Sequence, residues 1–230
     1  MLVNVAISKV NKHGQRIGGD TAEIVERPLG GVTGIIVDGQ GSGRSAKVIS
    51  NSIVGKITNL ISDGARDGAV ARAVQDYLFA MKDGKVSATL TMISLALDTQ
   101  SIIISRNSHC PVIVIDNERE IIFEEQVQPL GFYKFSKPLI KELPLKTGMT
   151  IMAYTDGLMS AGKKYNNPIN DGDIINILKE KISTQNKADK ILDLALQLDG
   201  QKPNDDITIL VIETSEEESL IRKINATFPL

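Results

Sequence analysis

Aspartate is depleted from strand interiors, yet in this chain it stands where apolar runs stop or start. Asp38 follows the run GIIV from Gly34 to Val37, Asp156 follows IMAYT, and Asp205-Asp206 stand just ahead of ITILVIE. In an antiparallel sheet the C-terminal end of one strand lies beside the N-terminal end of its neighbour. Aspartates after two strands and before a third can therefore gather at one edge. Asp20, after Gly18-Gly19, can join them. Carboxylates gathered this way raise one another's pKa unless a cation sits among them.

The composition narrows which cation that is. Cys110 is the only cysteine and His13 and His109 are the only histidines, so no internal disulfide is possible and a Cys/His zinc site is close to excluded. A metal here must sit on oxygen. Mg²⁺ and Mn²⁺ select carboxylate, carbonyl and water, and Gly39 leaves its carbonyl sterically free to join the shell. Two such ions ~3.5–4 Å apart would lower the pKa of a shared water and clamp phosphate oxygens. Asp-Gly is also a common turn dipeptide, so each aspartate taken alone reads as a turn or cap residue before it reads as a ligand, and the joint pattern is what points to a metal.

Around the aspartates the pattern is one of strands with paired helices. Leu2–Ser8 alternates as a strand, and GIIV forms a second that stops at Asp38. Apolar residues from Ala46 to about Ile61 recur at helical spacing, and Ala69–Met81 continues as a second helix. Ser87–Leu97, Ser101–Ser105, Pro111–Ile115 and Glu120–Phe123 read as an antiparallel meander. Met149–Tyr154 is a further strand, Asp173–Lys181 and Ala188–Leu198 are helical, and Ile207–Ile212 is a last strand. Helices in pairs among many strands predict an α+β layered sandwich rather than a doubly wound parallel sheet. One domain over residues 1–213 is expected, with an acidic tail, helical or frayed, over 214–230.

Gly18-Gly19-Asp20, Asp38-Gly39 with its following Gly-Ser-Gly, Thr155-Asp156-Gly157 and Asn204-Asp205-Asp206-Ile207-Thr208 occur in that order. The set resembles the bacterial SpoIIE-like branch of the PPM (type-2C) metal-dependent serine/threonine phosphatases. Arg106–Pro111 looks like that branch's Asn-Ala-Gly-His-Pro-Pro turn. The resemblance spans about Gly18 to Glu213. It implies a PPM-type β-sandwich of two mainly antiparallel sheets flanked by helix pairs, with two divalent cations, Mn²⁺ or Mg²⁺, at one edge. Carried over by motif, Asp38 would bridge both metals and activate water, and the Gly39 carbonyl would bind one. Asp20 and Asp156 would complete the shells and Asp205 would hold the second ion, with Asp206 and Gly157 behind them. The implied reaction is hydrolysis of phosphoserine or phosphothreonine on a regulatory protein of the STAS (anti-anti-sigma) type. The alternative is a catalytically weak PPM-fold module that binds a phosphoprotein.

The chain departs from the branch at two places. Glu23 stands where relatives often carry the last Asp of Gly-Gly-Asp-x-x-Asp, and Ser108 replaces the Gly of the His turn. His109 reads as a general acid for the leaving serine or as a structural turn residue. Cys110 lacks the Cys-x5-Arg cradle of thiol phosphatases, because Asp116 occupies the arginine position. Gly39–Gly43 mimics a nucleotide loop without the Gly-Lys-Ser/Thr that a Walker loop needs. Arg16 and Arg44 read as solvated surface. A balance of 26 Lys+Arg against 28 Asp+Glu provides no basic field for nucleic acid. No run approaches the ~18 apolar residues of a membrane span, so a cytoplasmic protein is expected. The motifs begin within twenty residues of Met1, and no fused sensor is expected in this chain.

Overall fold

A computed structural model describes residues 1–117 and 119–229. Ten strands form two five-stranded antiparallel sheets. The first has the order β1 (Leu2–Val10), β10 (Ile207–Ser215), β9 (Met149–Tyr154), β6 (Val112–Asp116), β7 (Arg119–Phe123). The second has the order β2 (Thr21–Glu26), β3 (Gly31–Gly39), β4 (Ala88–Ala96), β5 (Ser101–Asn107), β8 (Leu139–Pro144). Helices α1 (Gly43–Ser62) and α2 (Asp67–Lys82) cover the second sheet. Helices α4 (Asp171–Lys179) and α5 (Thr184–Leu198) cover the first, and a short α3 (Asp156–Ser160) follows β9. The α+β sandwich of two antiparallel sheets flanked by helix pairs is the architecture the sequence predicts.

Strand periodicity assigns side chains to layers. On β3, Ile35 and Val37 pack against α1 and α2, whereas Ile36 enters the core between the sheets. On β10, Ile207, Ile209 and Val211 face α3–α5 while Leu210 and Ile212 face the opposite sheet. Both central strands are thus apolar on both faces, which is why they read as unbroken apolar runs. On α1, Ala46, Ile49, Ile53, Ile57 and Ile61 form the stripe that lies on the sheet.

Several expectations need correction. The second strand does not stop at Asp38: β3 runs through it, pairing Asp38 with Thr89 and Gly39 with Ala88. The meander is divided, because β4–β5 belong to one sheet and β6–β7 to the other, with the chain crossing between them at residues 108–111. Strands β2 and β8 escape the sequence pattern. Both are sheet edges, and half or more of their residues are exposed or only partly buried, so neither has an apolar run. Residues 216–229 carry neither helix nor strand, and Arg222 pairs with Glu26 at 2.8 Å. Among the described residues no helix is long and apolar enough to cross a membrane.

The crossover at 108–111 is held by a buried arginine. Arg106 is 1% exposed and donates to the carbonyls of Cys110 at 2.8 Å, Phe123 at 2.5 Å and Glu125 at 2.5 Å. It ties the end of β5 to the end of β7 and so joins the two sheets. Arg106→Leu removes three donors and leaves those carbonyls without partners, at about 1–3 kcal/mol for each that stays dry. The expected loss is about 3 kcal/mol or more, read as a lower urea midpoint with an unchanged slope. A loss below about 0.5 kcal/mol, the range of ordinary surface substitutions, would show that the crossover does not depend on it.

Candidate metal centre

Strand parity places the aspartates. Asp38 lies two residues beyond Ile36 and therefore points toward the gap between the sheets, not toward α1. Gly39 points the other way, where a Cβ would come within 2.3 Å of the Ala46 carbonyl of α1. Only glycine fits there. On the facing sheet Asp156 opens α3 two positions after the last residue of β9, and Asp205 stands two positions before the first residue of β10. Because β9 and β10 are antiparallel neighbours, these two carboxylates meet at one sheet end, as the pairing rule expects. Asp38 comes from the other sheet, so the group spans the mouth of the sandwich instead of one edge of one sheet.

Asp20 lies deepest, 1% exposed. Its Oδ2 accepts from Thr155 Oγ1 at 2.8 Å and Thr208 Oγ1 at 2.6 Å, and the Thr155 hydroxyl oxygen accepts from the Thr208 N–H at 2.9 Å. Asp206 is also buried, and backbone donors take both of its oxygens: Lys12 N–H at 2.8 Å and Gly19 N–H at 2.5 Å. It fastens the Gly18-Gly19-Asp20 segment to the start of β10. Gly157 lets α3 approach that same segment, since a Cβ there would fall 2.1 Å from the Asp206 carbonyl.

The electrostatics record the crowding. Burial, then the charges of Asp20, Asp156 and Asp205, push Asp38 up to about 8. A hydrogen bond shared with Asp20 adds to the rise. Burial pushes Asp20 up to about 6, and the charge of Asp206 adds to this against the opposing hydroxyls of Thr208 and Thr155. Asp156 is raised by burial and by Asp205, with His109 acting against the shift. Four carboxylates from two sheets and a loop therefore interact at one place.

Other predicted residues fall around this group. His109 Nε2 is 3.9 Å from Asp156 Oδ2 and the ring is half exposed. Glu23 is exposed on edge strand β2 and lines a cleft with Thr21 and Asn51 of α1, apart from the aspartates. Burial pushes the Cys110 thiol up to about 12, which removes it as a nucleophile. Arg16 and Arg44 are exposed. Sequence reasoning missed Lys9 and Lys47, whose ammonium groups each reach the Asp20 carbonyl at 2.6 Å. Burial and Lys9 together lower Lys47 to about 8. Thr155 and Thr208 are the other unpredicted members. Their signal is visible afterwards as a threonine beside each aspartate motif.

The residues suit hard divalent cations. The donors are all oxygen, and burial together with mutual repulsion leaves Asp38 holding a proton that a cation would displace. Among the described residues no three His, Cys, Asp or Glu side chains enclose a single point. Each ion would thus take one or two carboxylates, with a carbonyl and waters filling the shell, as Mg²⁺ commonly does.

Comparison with known proteins fits this geometry. The fold is that of solved PP2C serine/threonine phosphatases. The family model described as Stage II sporulation protein E (SpoIIE) matches residues 29–215, and the chain belongs to that family. The solved PP2C phosphatase domain of Bacillus subtilis SpoIIE, with a fragment of its regulatory domain, superposes with a TM-score of 0.77 at 19% identity. That match covers 93% of this chain and 63% of the other, so this chain spans less than two thirds of that structure. The Mycobacterium tuberculosis serine/threonine phosphatase PstP/Ppp superposes at 0.74 with 14% identity, covering 94% of this chain and 100% of that one. RsbX in complex with magnesium gives 0.71 at 17% identity, covering 93% and 96%. At these identities the likeness shows the fold. No curated protein sequence matches the chain.

The raised carboxylates determine how stability depends on pH. Between the ordinary 3.8 and about 8, folded Asp38 binds a proton that the unfolded chain releases. Stability without metal therefore falls as pH rises through that window. The melting temperature in EDTA is expected to decline from pH 5 to 8, and Asp38→Asn to flatten the upper part of the decline. A melting temperature that rises over this range in EDTA would contradict the crowding.

Proposed function

We propose that this protein hydrolyses phosphoserine or phosphothreonine on a regulatory protein of the STAS type, using two divalent cations, Mn²⁺ or Mg²⁺. The observation that carries the reading is the convergence of Asp20, Asp38, Asp156 and Asp205, with Asp38 pushed up to about 8 by burial and by the other three. Asp38, facing the gap between the sheets, is the carboxylate suited to be shared by both ions. The Gly39 carbonyl would bind one ion, Asp20 and Asp156 would complete the shells, and Asp205 would hold the second ion. Bound cations supply a lowered water pKa and neutralise phosphoryl oxygens. Asp206 and Gly157 hold the loop and helix that present these groups. The phosphatase domain takes in β10 to Ser215, with the residues after it as a tail, in a cytoplasmic protein.

The chain's own groups account for the proton. Cleavage of the P–O bond leaves the serine or threonine oxygen needing a proton. We assign that donation to His109, half exposed beside Asp156. The substrate class rests on family analogy.

Asp38→Asn separates this reading from a turn role. Asn keeps the shape and removes the shared anion, so kcat with Mn²⁺ on p-nitrophenyl phosphate and a phosphoserine peptide is expected to fall by ~10²–10³. In EDTA the variant melts at or above the wild-type temperature, because repulsion is relieved. Retention of more than about a tenth of the activity sinks the shared-anion role. Wild-type turnover unaffected by EDTA would remove the metal requirement, and with it the enzyme proposed here.

A further inference from the structure

Residues 124–138, between β7 and β8, form a loop without regular structure of their own. A loop of this length inside a compact domain commonly has a function. Its backbone is pinned. Leu130 and Ala88 exchange hydrogen bonds at 2.8 and 3.1 Å. Gln75 of α2, itself 2% exposed, accepts from the Gly131 N–H at 2.8 Å and donates to the Tyr133 carbonyl at 2.6 Å. Asn107 donates to the Gln128 carbonyl at 3.0 Å, and the Ser136 hydroxyl to that of Pro129 at 3.2 Å. Gly131, at φ 83, sits so tightly on Leu78 that a Cβ would fall 2.5 Å from its Cδ2.

What this rigid loop presents is apolar. The chain has five Phe, four Tyr and no Trp, and three of these fall within four positions. Phe132 is 49% exposed, Tyr133 47% and Phe135 81%. Fixing a backbone while leaving its aromatics in water gives up the usual return of burial, and such patches mark interaction sites. Lys134 and Lys137 are exposed among them, and Lys82 and Lys85 flank Asp83 where the loop meets the end of α2. Glu124 and Glu125 stand at the loop's other end, Glu125 against Arg106 and Lys141, so the aromatic end, with Lys134, Lys137, Lys82 and Lys85 against Asp83, is net basic. It is also close to the aspartates: Gly39 pairs with Ala88, and Ala88 pairs with Leu130. Two strand spacings, about 10 Å, thus separate the loop's base from the residue after Asp38.

We propose that this loop docks the phosphorylated protein on which the site acts, taking an acidic segment with bulky aliphatic residues a few positions from the phosphoserine. The inference rests on the phosphatase reading and specifies its substrate. Basic charge beside exposed aromatics complements acidic and aliphatic side chains, and continuity with the site places both on one polypeptide. About 10 Å corresponds to roughly three extended residues.

The test uses p-nitrophenyl phosphate and two phosphoserine peptides, one with Glu and Leu three to six positions from the phosphoserine and one with Lys and Ala there. Wild type is expected to favour the Glu/Leu peptide by about tenfold in kcat/KM, the scale of one buried aliphatic side chain. Phe132→Ser/Tyr133→Ser/Phe135→Ser should erase the preference by raising KM, with p-nitrophenyl phosphate turnover unchanged. Equal kcat/KM for the two peptides in wild type, or a preference that survives in the variant, overturns the proposal. If the triple variant does not melt cooperatively, Lys134→Glu/Lys137→Glu decides: it must lose the preference. If nothing is turned over, the phosphatase reading falls and calorimetric titration of both peptides decides docking. Tighter binding of the Glu/Leu peptide to wild type than to the variant upholds docking, and equal binding ends it.

Discussion

The structure turns on a carboxylate buried where two sheets end. Asp20 is withdrawn from water and held by hydroxyls from the ends of adjacent strands, Thr155 after β9 and Thr208 in β10. Burying an ion costs far more than these bonds return unless other charge compensates, so the neighbours matter. Lys9 and Lys47 converge on the Asp20 carbonyl from below, and Asp38, Asp156 and Asp205 crowd the mouth above. The fold holds an arrangement that is electrostatically unfavourable as it stands. That cost is a reason to look for chemistry, because strain of this kind persists where a ligand relieves it.

The arrangement depends on parity as much as on proximity. A register slip of one residue in β3 would turn Asp38 toward α1 and Gly39 toward the mouth. Three facts oppose the slip: Ile35 and Val37 are committed to the helix layer, Ile36 to the central core, and only glycine fits beneath the Ala46 carbonyl. The apolar core thereby sets the direction of a polar group. Gly157 plays the matching role opposite, bringing the start of α3 onto the Asp206 carbonyl. Both glycines serve close backbone approach, and both adjoin an aspartate of the site.

Legibility in the sequence follows burial. The central strands β3, β9 and β10 and the stripe of α1 were readable because burial on defined faces leaves a clean pattern. Strands β2 and β8 were not, since a sheet edge buries little and its sequence stays mixed. The aspartates were legible as a set because Asp38, Asp156 and Asp205 stand at the ends of apolar runs and Asp20 follows Gly18-Gly19. Which sheet each run belongs to was not, and so the mouth looked like a single edge. Lys9, Lys47, Thr155 and Thr208 carry no signature alone. Their roles arise from contacts across more than a hundred positions for the threonines, and from two elements meeting at one carbonyl for the lysines.

Protons and cations compete for the same place. With Asp38 at about 8 and Asp20 at about 6, the metal-free mouth at neutral pH is partly neutralised by protons it would otherwise lack. A divalent cation must displace them, so its apparent affinity rises with pH until Asp38 is ionised. Proton uptake keeps the folded state tolerable without metal, while ionisation prepares the site to receive it. The same group thus sets both the stability of the empty mouth and its readiness to bind. That follows from placing four carboxylates where two sheets meet.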